Sequence, residues 1–528
     1  MTASVNESAN PQDDRITPVL AEPVAHGLSW WATLWVLISL YSFAVTPIPS
    51  VNEPHYFCMA RHFIGGDQIT GDLFLDSTPA HVVFFSLVGP LTLVFSLPTV
   101  AAITRVAVSG VLAWGMLRCG RRWGLPANGV VFWWGLFVLH EALFQLSGEW
   151  IFGGAESKVA AYGLVFAALA DWSGGRNRLA MLWLGLSVSL HPIVGGWFSI
   201  GILMTACFEV LFREKPLQIG QTAQAIGLWV LASLPGLIPA LSVVGGDPKT
   251  AMQAAYIQVF YRLSHHLDPL KFSMISVGIY VLIFLALLVA WWKMRSQWPV
   301  MNRLNWLTIS ALIIALTGVA LAYRAGSALE MPGLEWRVKL LRFYPFRLID
   351  VWLPFLGLAL LVRELLKWKV FQASTLGRPG DPIFGVGIAC VILALMTGQS
   401  ASNPSRYSQQ QYAEWQQMCD WIEQNTPEET LFLTPRNSFA FKWYAKRGEY
   451  VCFKDMPQDA ASMVEWNRRL NAFQKWASNN YADQRYDVQE LTELQQLTGA
   501  DYLLVDRLGP MEIEPLQTIG RYKLYELP

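Results

Sequence analysis

The chain has 528 residues, of which 53% are hydrophobic and only 15% charged, and its mean hydropathy is +0.32. Soluble domains carry about a quarter charged residues, so an ordinary soluble protein is excluded and a polytopic α-helical membrane protein is expected. The 39 basic residues are balanced by 39 acidic ones, which removes the electrostatic case for a nucleic-acid partner.

The first 26 residues are polar and carry Pro, Asn and Asp; residues 1–26 read as a disordered cytoplasmic tail. They lack a basic n-region and a small-residue cleavage site, so the first apolar segment reads as a retained span. A span needs about 20 mainly apolar residues. Segments that meet this lie near 28–48, 99–117, 127–146, 158–172, 178–194, 196–212, 222–243, 272–292, 304–323, 346–362 and 383–399. About eleven transmembrane helices are therefore expected, in a membrane domain over 27–403. One further stretch, "HVVFFSLVGPLTLVFSLP" (81–98), holds Gly89–Pro90 at its middle and Pro98 at its end. Pro breaks the helix ladder, so this stretch reads as interfacial or re-entrant.

Loop charge sets the orientation, because cytoplasmic loops are rich in Lys and Arg. With 81–98 off the span list, "RCGRRWG", "DWSGGRNR", "REK", "KMRSQWPVMNR" and "RELLKWKVFQASTLGRPGD" share one side, with 14 basic and 4 acidic residues. The loops opposite (50–80, 147–158, 244–271 and 324–347) hold 10 of each. The basic side is then cytoplasmic, with the amino terminus inside and the carboxy terminus outside. From 404 to 528 short apolar runs alternate with helical patterns. "QELTELQQLTGADYLLVDR" reads as helix, Gly turn and buried strand, and "IGRYKLYEL" as a closing strand. A small extracytoplasmic α/β domain is expected there.

Polar residues collect on the outer side. The loop "VNEPHYFCMARHFIGGDQITGDLFLD" (51–76) carries Glu53, Asp67, Asp72 and Asp76, together with His55 and His62. His81, His140, His191, His265 and His266 fall at the same side; the alternative is that His simply tolerates interfaces. "GEWIFGGAESKVAAY" places Glu149, Glu156 and Lys158 at the outer membrane edge, where Gly153–Gly154 permits close backbone approach. Ionisable groups at such positions are functional candidates, although Glu156 and Ser157 also suit a plain helix start. Arg337, Lys339, Arg342 and Arg347 form a cationic outer stretch. The planar fork of Arg suits phosphate, whereas Arg347 and Asp350 also fit a structural ion pair. The six Cys show no CxxC or metal spacing. Cys419 and Cys452 sit in the polar C-terminal region, and their pairing is left open.

The order of first span, acidic outer loop, Pro-ended amphipathic segment and a span ending in "LRCGRRWG" resembles the polytopic GT-C glycosyltransferases, including the mannosyl- and aminoarabinose-transferase relatives. Members begin the first outer loop with an acidic pair, then Tyr and a helix. Glu53, Tyr56 and "ARHFIGGD" occupy the matching places, while Asn52 stands where the first acid is usual. The runs "ESK", "HPIVGGW" and "YPFRL" also resemble bacterial membrane proteins without an assigned activity. The resemblance implies a bacterial inner-membrane enzyme that moves a sugar from a polyprenyl-phosphate donor to an extracytoplasmic glycan, lipid or protein acceptor, with inversion. It implies Glu53 as the catalytic base. The substrate-binding candidates are His55, Tyr56, Asp72, Glu156, His191, Arg262, His265, His266, Arg337, Arg342 and Arg347. A divalent metal is an open question, with Asp67, Asp72 and Asp76 as candidate helpers. Two other classes compete: a transporter or flippase, and a non-catalytic, degenerate member that binds a lipid phosphate or glycan.

Overall fold

The computed structural model describes residues 24–212, 218–368, 381–397 and 407–528. The predicted tail up to residue 23, the "REK" loop and the basic stretch 369–380 lie outside the described residues. The bundle runs α1 (Val24–Val45), α2 (Glu53–Phe63), α3 (Val82–Val94), α4 (Leu97–Arg122), α5 (Ala127–Leu143), α6 (Ser157–Ser173), α7 (Asn177–Leu190) and α8 (Pro192–Leu211). It continues with α9 (Ile219–Val244), α10 (Pro248–Tyr256), a π-helical turn (Ile257–Arg262), α11 (Ser264–Leu267), α12 (Met274–Met294), α13 (Val300–Ala322), α14 (Leu334–Leu341) and α15 (Arg347–Leu365). A further apolar helix spans Pro382–Thr397.

Each of the eleven apolar segments falls largely on a helix. Among the described residues, six helices (α1, α4, α8, α9, α12 and α13) are long and apolar enough to cross a bilayer. The protein is thus an integral membrane protein. The helices at the other five positions have 14 to 19 residues. The ambiguous stretch forms α3, with 13 residues; at about 1.5 Å per residue it is too short for the ~30 Å hydrocarbon core.

The bundle closes through aromatic packing and close helix crossings. Phe166 of α6 stacks on Phe355 of α15 with centroids 4.1 Å apart, next to buried Trp123, Trp133 and Trp352. A Cβ at Gly115 would collide with the Gly163 carbonyl, so α4 and α6 meet backbone to backbone, as small residues allow in membranes. Two buried ion pairs tie the opposite end. Arg303 grips Glu209 at 2.8 and 3.0 Å, and Arg118 grips Asp171 at 2.7 and 2.8 Å.

The C-terminal unit is a small α/β sheet. Strands β1 (Leu431–Leu433), β2 (Gly448–Glu449), β3 (Tyr502–Val505), β4 (Gln517–Ile519) and β5 (Tyr522–Glu526) lie in the order β2-β1-β3-β5-β4. β1 is parallel to β2 and β3, and the last two pairings are antiparallel. The helix–Gly–strand reading holds: a capping box at Asp487 and Glu490 starts helix Val488–Thr498, and Gly499 ends it at φ +66 before β3. All six cysteines are free, Cys419 and Cys452 included. The sheet unit sits on the outer-loop elements: Ala254 and Ile257 share a core with Trp466 and Leu470, and Trp443 packs with Tyr56 and Phe57 of α2.

Candidate active site

The turn at 50–56 starts α2, with Pro54 preorganising its first turn. Glu53 is 0% exposed. Its Oε1 accepts from Arg105 Nε at 2.6 Å and the Ala155 amide at 2.8 Å. Its Oε2 accepts from Arg105 Nη2 at 2.9 Å and the Ser50 amide at 2.7 Å. The rest of the Arg105 fork reaches the carbonyls of Ser42, Thr46 and Pro47 at 2.8–3.0 Å. A Cβ at Gly154 would collide with the Ser50 hydroxyl and come within 3.2 Å of Glu53 Oε1. Glu53 therefore knots the ends of α1, α2 and α4 to the turn before α6. The expectation of Glu53 as a free general base does not match this geometry. A carboxylate bound by four donors and shut from solvent has no room for an acceptor hydroxyl.

One residue earlier the surroundings change. Asn52 Nδ2 donates to Glu156 Oε1 at 2.7 Å, and Lys454 Nζ donates to Asn52 Oδ1 at 2.6 Å. Glu156 is the N-cap residue of α6, yet its side chain makes no capping bond. Its carboxylate lies 3.6 Å from Lys158, which is 3.8 Å from Glu149 and covers the Trp150 ring at 3.9 Å. Glu149 also receives Arg347 at 2.9 Å and the Tyr162 hydroxyl at 2.9 Å. The predicted Arg347–Asp350 pair is thus corrected: Arg347 pairs with Glu149. Asp350 instead accepts the amides of Leu146, Ser147 and Glu149 and the hydroxyls of Ser147 and Tyr280, at 2.7–3.1 Å. It holds the 146–149 loop in shape.

Around this row sit Tyr56, whose hydroxyl is 3.4 Å from both His81 Nε2 and Ser157 Oγ, and His191, whose ring lies 4.9 Å from that of His81. His191 also caps α8 through the Val194 amide. His266 bonds the Ser147 carbonyl, and His265 stacks beside it. Arg262 ends the π-helical turn and donates to the carbonyls of Phe453 and Lys454 at 3.0 and 3.2 Å.

Other candidates are placed elsewhere. Arg337 is spent on the carbonyls of Ala320, Leu321, Tyr323 and Pro332, capping the end of α13; it is not part of a cationic mouth. Arg342 is buried just beyond α14, at its C-cap. Asp72 accepts the amides of Phe74, Leu75 and Glu449 and lies 3.2 Å from Lys442, so it fastens the first outer loop to β2. Asp67 and Asp76 both turn to His62, at 2.8 and 3.4 Å.

The C-terminal unit adds groups that sequence reading missed. His55 meets Asp455 at 3.2 Å, and Lys442 reaches Asp72, Glu449 and Asp455 at 3.2, 2.6 and 2.7 Å. Burial works against ionisation of Asp455, but Lys442 and His55 outweigh it and hold the carboxyl well below its usual range. Burial pushes Lys454 down to about 8, with Arg262 adding to the effect. Glu449, Cys452 and Asp455 offer ligand atoms within 4.8 Å of one another. The two carboxylates of that trio are committed to Lys442, so the set does not suit a divalent ion. Arg105 had a visible sign: it is a lone charge inside the apolar segment 99–117. Lys454 had none, since it lies about 400 residues from its partner.

The fold was compared with known proteins. The structure of ArnT from Cupriavidus metallidurans bound to undecaprenyl phosphate matches with a TM-score of 0.50 at 11% identity, over 95% of this chain and 98% of that one. The chain has the GT-C fold. An oligosaccharyltransferase from Archaeoglobus fulgidus, in complex with Zn and sulfate, matches with a TM-score of 0.40 at 13% identity, over 90% of this chain and 68% of that one; the GT-C assignment rests on the first match. A family described as a domain of unknown function (DUF6798) matches residues 413–473 of the chain. No curated protein matches its sequence.

Proposed function

We propose that the protein is a membrane glycosyltransferase that moves a sugar from a polyprenyl-phosphate donor to an acceptor hydroxyl outside the bacterial inner membrane. The observation that carries this reading is the charge around the proposed cleft between the bundle and the C-terminal unit. Lys158 lies beside Glu149 and Glu156, Arg347 pairs with Glu149, and Lys454 reaches Glu156 through Asn52. The surplus of positive charge suits one phosphate group. A donor with a long apolar tail also has a place to lie. A groove of about 330 Å³ runs between α12, α13 and α15, lined by Phe284, Leu312, Leu316, Phe346, Ile349 and Leu353 among others. Phe346 and Ile349 of that lining lie next to Arg347 in the chain, at the start of α15. The relative of matching fold is itself bound to undecaprenyl phosphate. The charge of the loops supports an inside amino terminus and an outside carboxy terminus.

In this reading Glu156 takes over the role first given to Glu53. Glu156 accepts the proton of the acceptor hydroxyl. The freed oxygen attacks the anomeric carbon, and the bond from that carbon to the phosphate oxygen breaks, leaving polyprenyl phosphate with the electron pair. Cations fixed around the departing phosphate stabilise the charge that develops on it. Asn52 holds Glu156 through a neutral amide, so position 52 adds no further negative charge beside it.

The test is Glu156→Gln in full-length protein reconstituted in nanodiscs with polyprenyl-phosphate sugars. Loss of a positioned base is expected to lower turnover about 10²–10⁴-fold while polyprenyl-phosphate binding persists. Turnover at the wild-type rate would overturn the role of Glu156. The sealed state of Glu53 favours one other reading, a non-catalytic member that only binds lipid phosphate. Binding without transfer for every donor tried would decide for it.

A further inference from the structure

We propose that Lys454 is a phosphate-binding residue of the cleft, so that the C-terminal unit forms part of the site and does more than cap it. The proposal rests on the lipid-phosphate reading above and deepens it.

The segment that carries Lys454 is held from both sides. Trp466 Nε1 donates to the Cys452 carbonyl at 2.8 Å, and the Phe453 amide donates to the Arg436 carbonyl at 2.9 Å, within the C-terminal unit. From the bundle side, Arg262 grips the carbonyls of Phe453 and Lys454, and His55 meets Asp455. The backbone is therefore fixed where the side chain enters the cleft.

The orientation of Asn52 then follows from chemistry. An ammonium only donates and a carboxylate only accepts. Oδ1 must face Lys454 and Nδ2 must face Glu156, as the 2.6 and 2.7 Å contacts show. An acid at position 52 would pair with Lys454 and repel Glu156. The amide does neither. It positions the ammonium without forming an ion pair with it. The ionisable groups that face Lys454 are Glu156, Asp455, Arg262, Cys452, His55 and His265. Of the two carboxylates, Asp455 is committed to Lys442 and His55, and Glu156 is bridged by Asn52. Lys454 makes no ion pair among the described residues. Asp455 and Glu156 act on it only without direct contact; a half-buried cation with no paired anion is costly, and an entering phosphate relieves that cost. The displacement of its pKa to about 8 by burial and Arg262 agrees with this.

The experiment measures binding to the full-length protein in nanodiscs by quenching of tryptophan fluorescence. The probes are undecaprenyl phosphate, undecaprenol without phosphate, and inorganic phosphate, from pH 6 to 10. Lys454→Met is expected to weaken undecaprenyl phosphate at least about tenfold at pH 7, without change for undecaprenol. Wild-type affinity should fall as Lys454 loses its proton above pH 8, and Lys454→Arg should keep the affinity and flatten that fall. Wild-type affinity and pH profile in Lys454→Met overturn the proposal and leave the functional reading standing. Should the methionine variant lose its thermal transition, the arginine variant decides: an unmoved fall above pH 8 overturns the proposal. If wild-type protein binds neither phosphate probe, both fail together. Inorganic phosphate bound in a Lys454-dependent way, with no binding of the lipid, keeps the phosphate site and removes the lipid donor.

Discussion

Asn52 and Glu53 are neighbours in the chain and belong to two different environments. Glu53 lies in a closed knot, with four donors on its two oxygens and no exposed surface. Asn52 is half-buried where the bundle meets the C-terminal unit, between a carboxylate and an ammonium. In the knot the Glu53 carboxylate and the Arg105 guanidinium are saturated by their partners, and this knot shapes the backbone around the neighbouring cluster. The cleft is made of groups whose charges do not cancel. A buried acid with every lone pair used is a structural member. An ionisable group with bonding capacity left over is where a ligand can act.

The sharpest way to break this comparison is to open the knot. Glu53→Gln leaves the Arg105 charge buried without its counter-ion. Removal of one member of a buried pair costs about 3–5 kcal/mol. Thermal unfolding of the detergent-solubilised protein should show a large fall in the transition temperature. A wild-type transition with selective loss of transfer would return Glu53 to the catalytic role. Next in size is Gly154→Ala, whose Cβ would collide with the Ser50 hydroxyl beside Glu53. Overpacking of this kind costs about 1–3 kcal/mol, and the same melting assay should show a smaller shift. The smallest effect belongs to the loop beyond. The hydrogen bond that His62 donates to Asp67 leads the causes that raise the His62 pKa, against a lowering from burial. Its contribution is fully present below the unfolded value of about 6.5 and is lost as pH rises through the higher folded value. The pair is partly solvated, so the change should stay below about 1 kcal/mol. His62→Gln should flatten that part of the stability profile, while a profile unchanged by the substitution would show that the pair contributes nothing.

Much of the fold was readable because the membrane imposes strong rules. A hydrocarbon layer demands long apolar segments and intrahelical hydrogen bonds, and the eleven apolar segments all fall on helices. The broken stretch at 81–98 read as too irregular to span, and α3 is short, but the Gly89–Pro90 pair lies inside the helix and the break comes at Phe95–Ser96. Helix Val488–Thr498, Gly499 and strand β3 were legible from local chemistry alone. The site was legible only in its address. The stretch around Glu53, Glu156, His191 and Arg347 does converge, but the roles read from residue type did not follow. Arg337 caps a helix, Asp72 fastens two units together, and Arg347 chooses Glu149 over the nearer-in-sequence Asp350.

The sequence by itself determined the class, the apolar helices, the sheet-bearing C-terminal unit and the neighbourhood of the site. Those depend on patterns that repeat locally and on the cost of exposing polar backbone to lipid. Only the tertiary structure decided that Glu53 is spent on Arg105 and two backbone amides, and that Lys454 reaches Asn52 from the other end of the chain. A side chain's chemistry depends on how many of its bonding positions are already filled, and those partners come from residues far away in sequence.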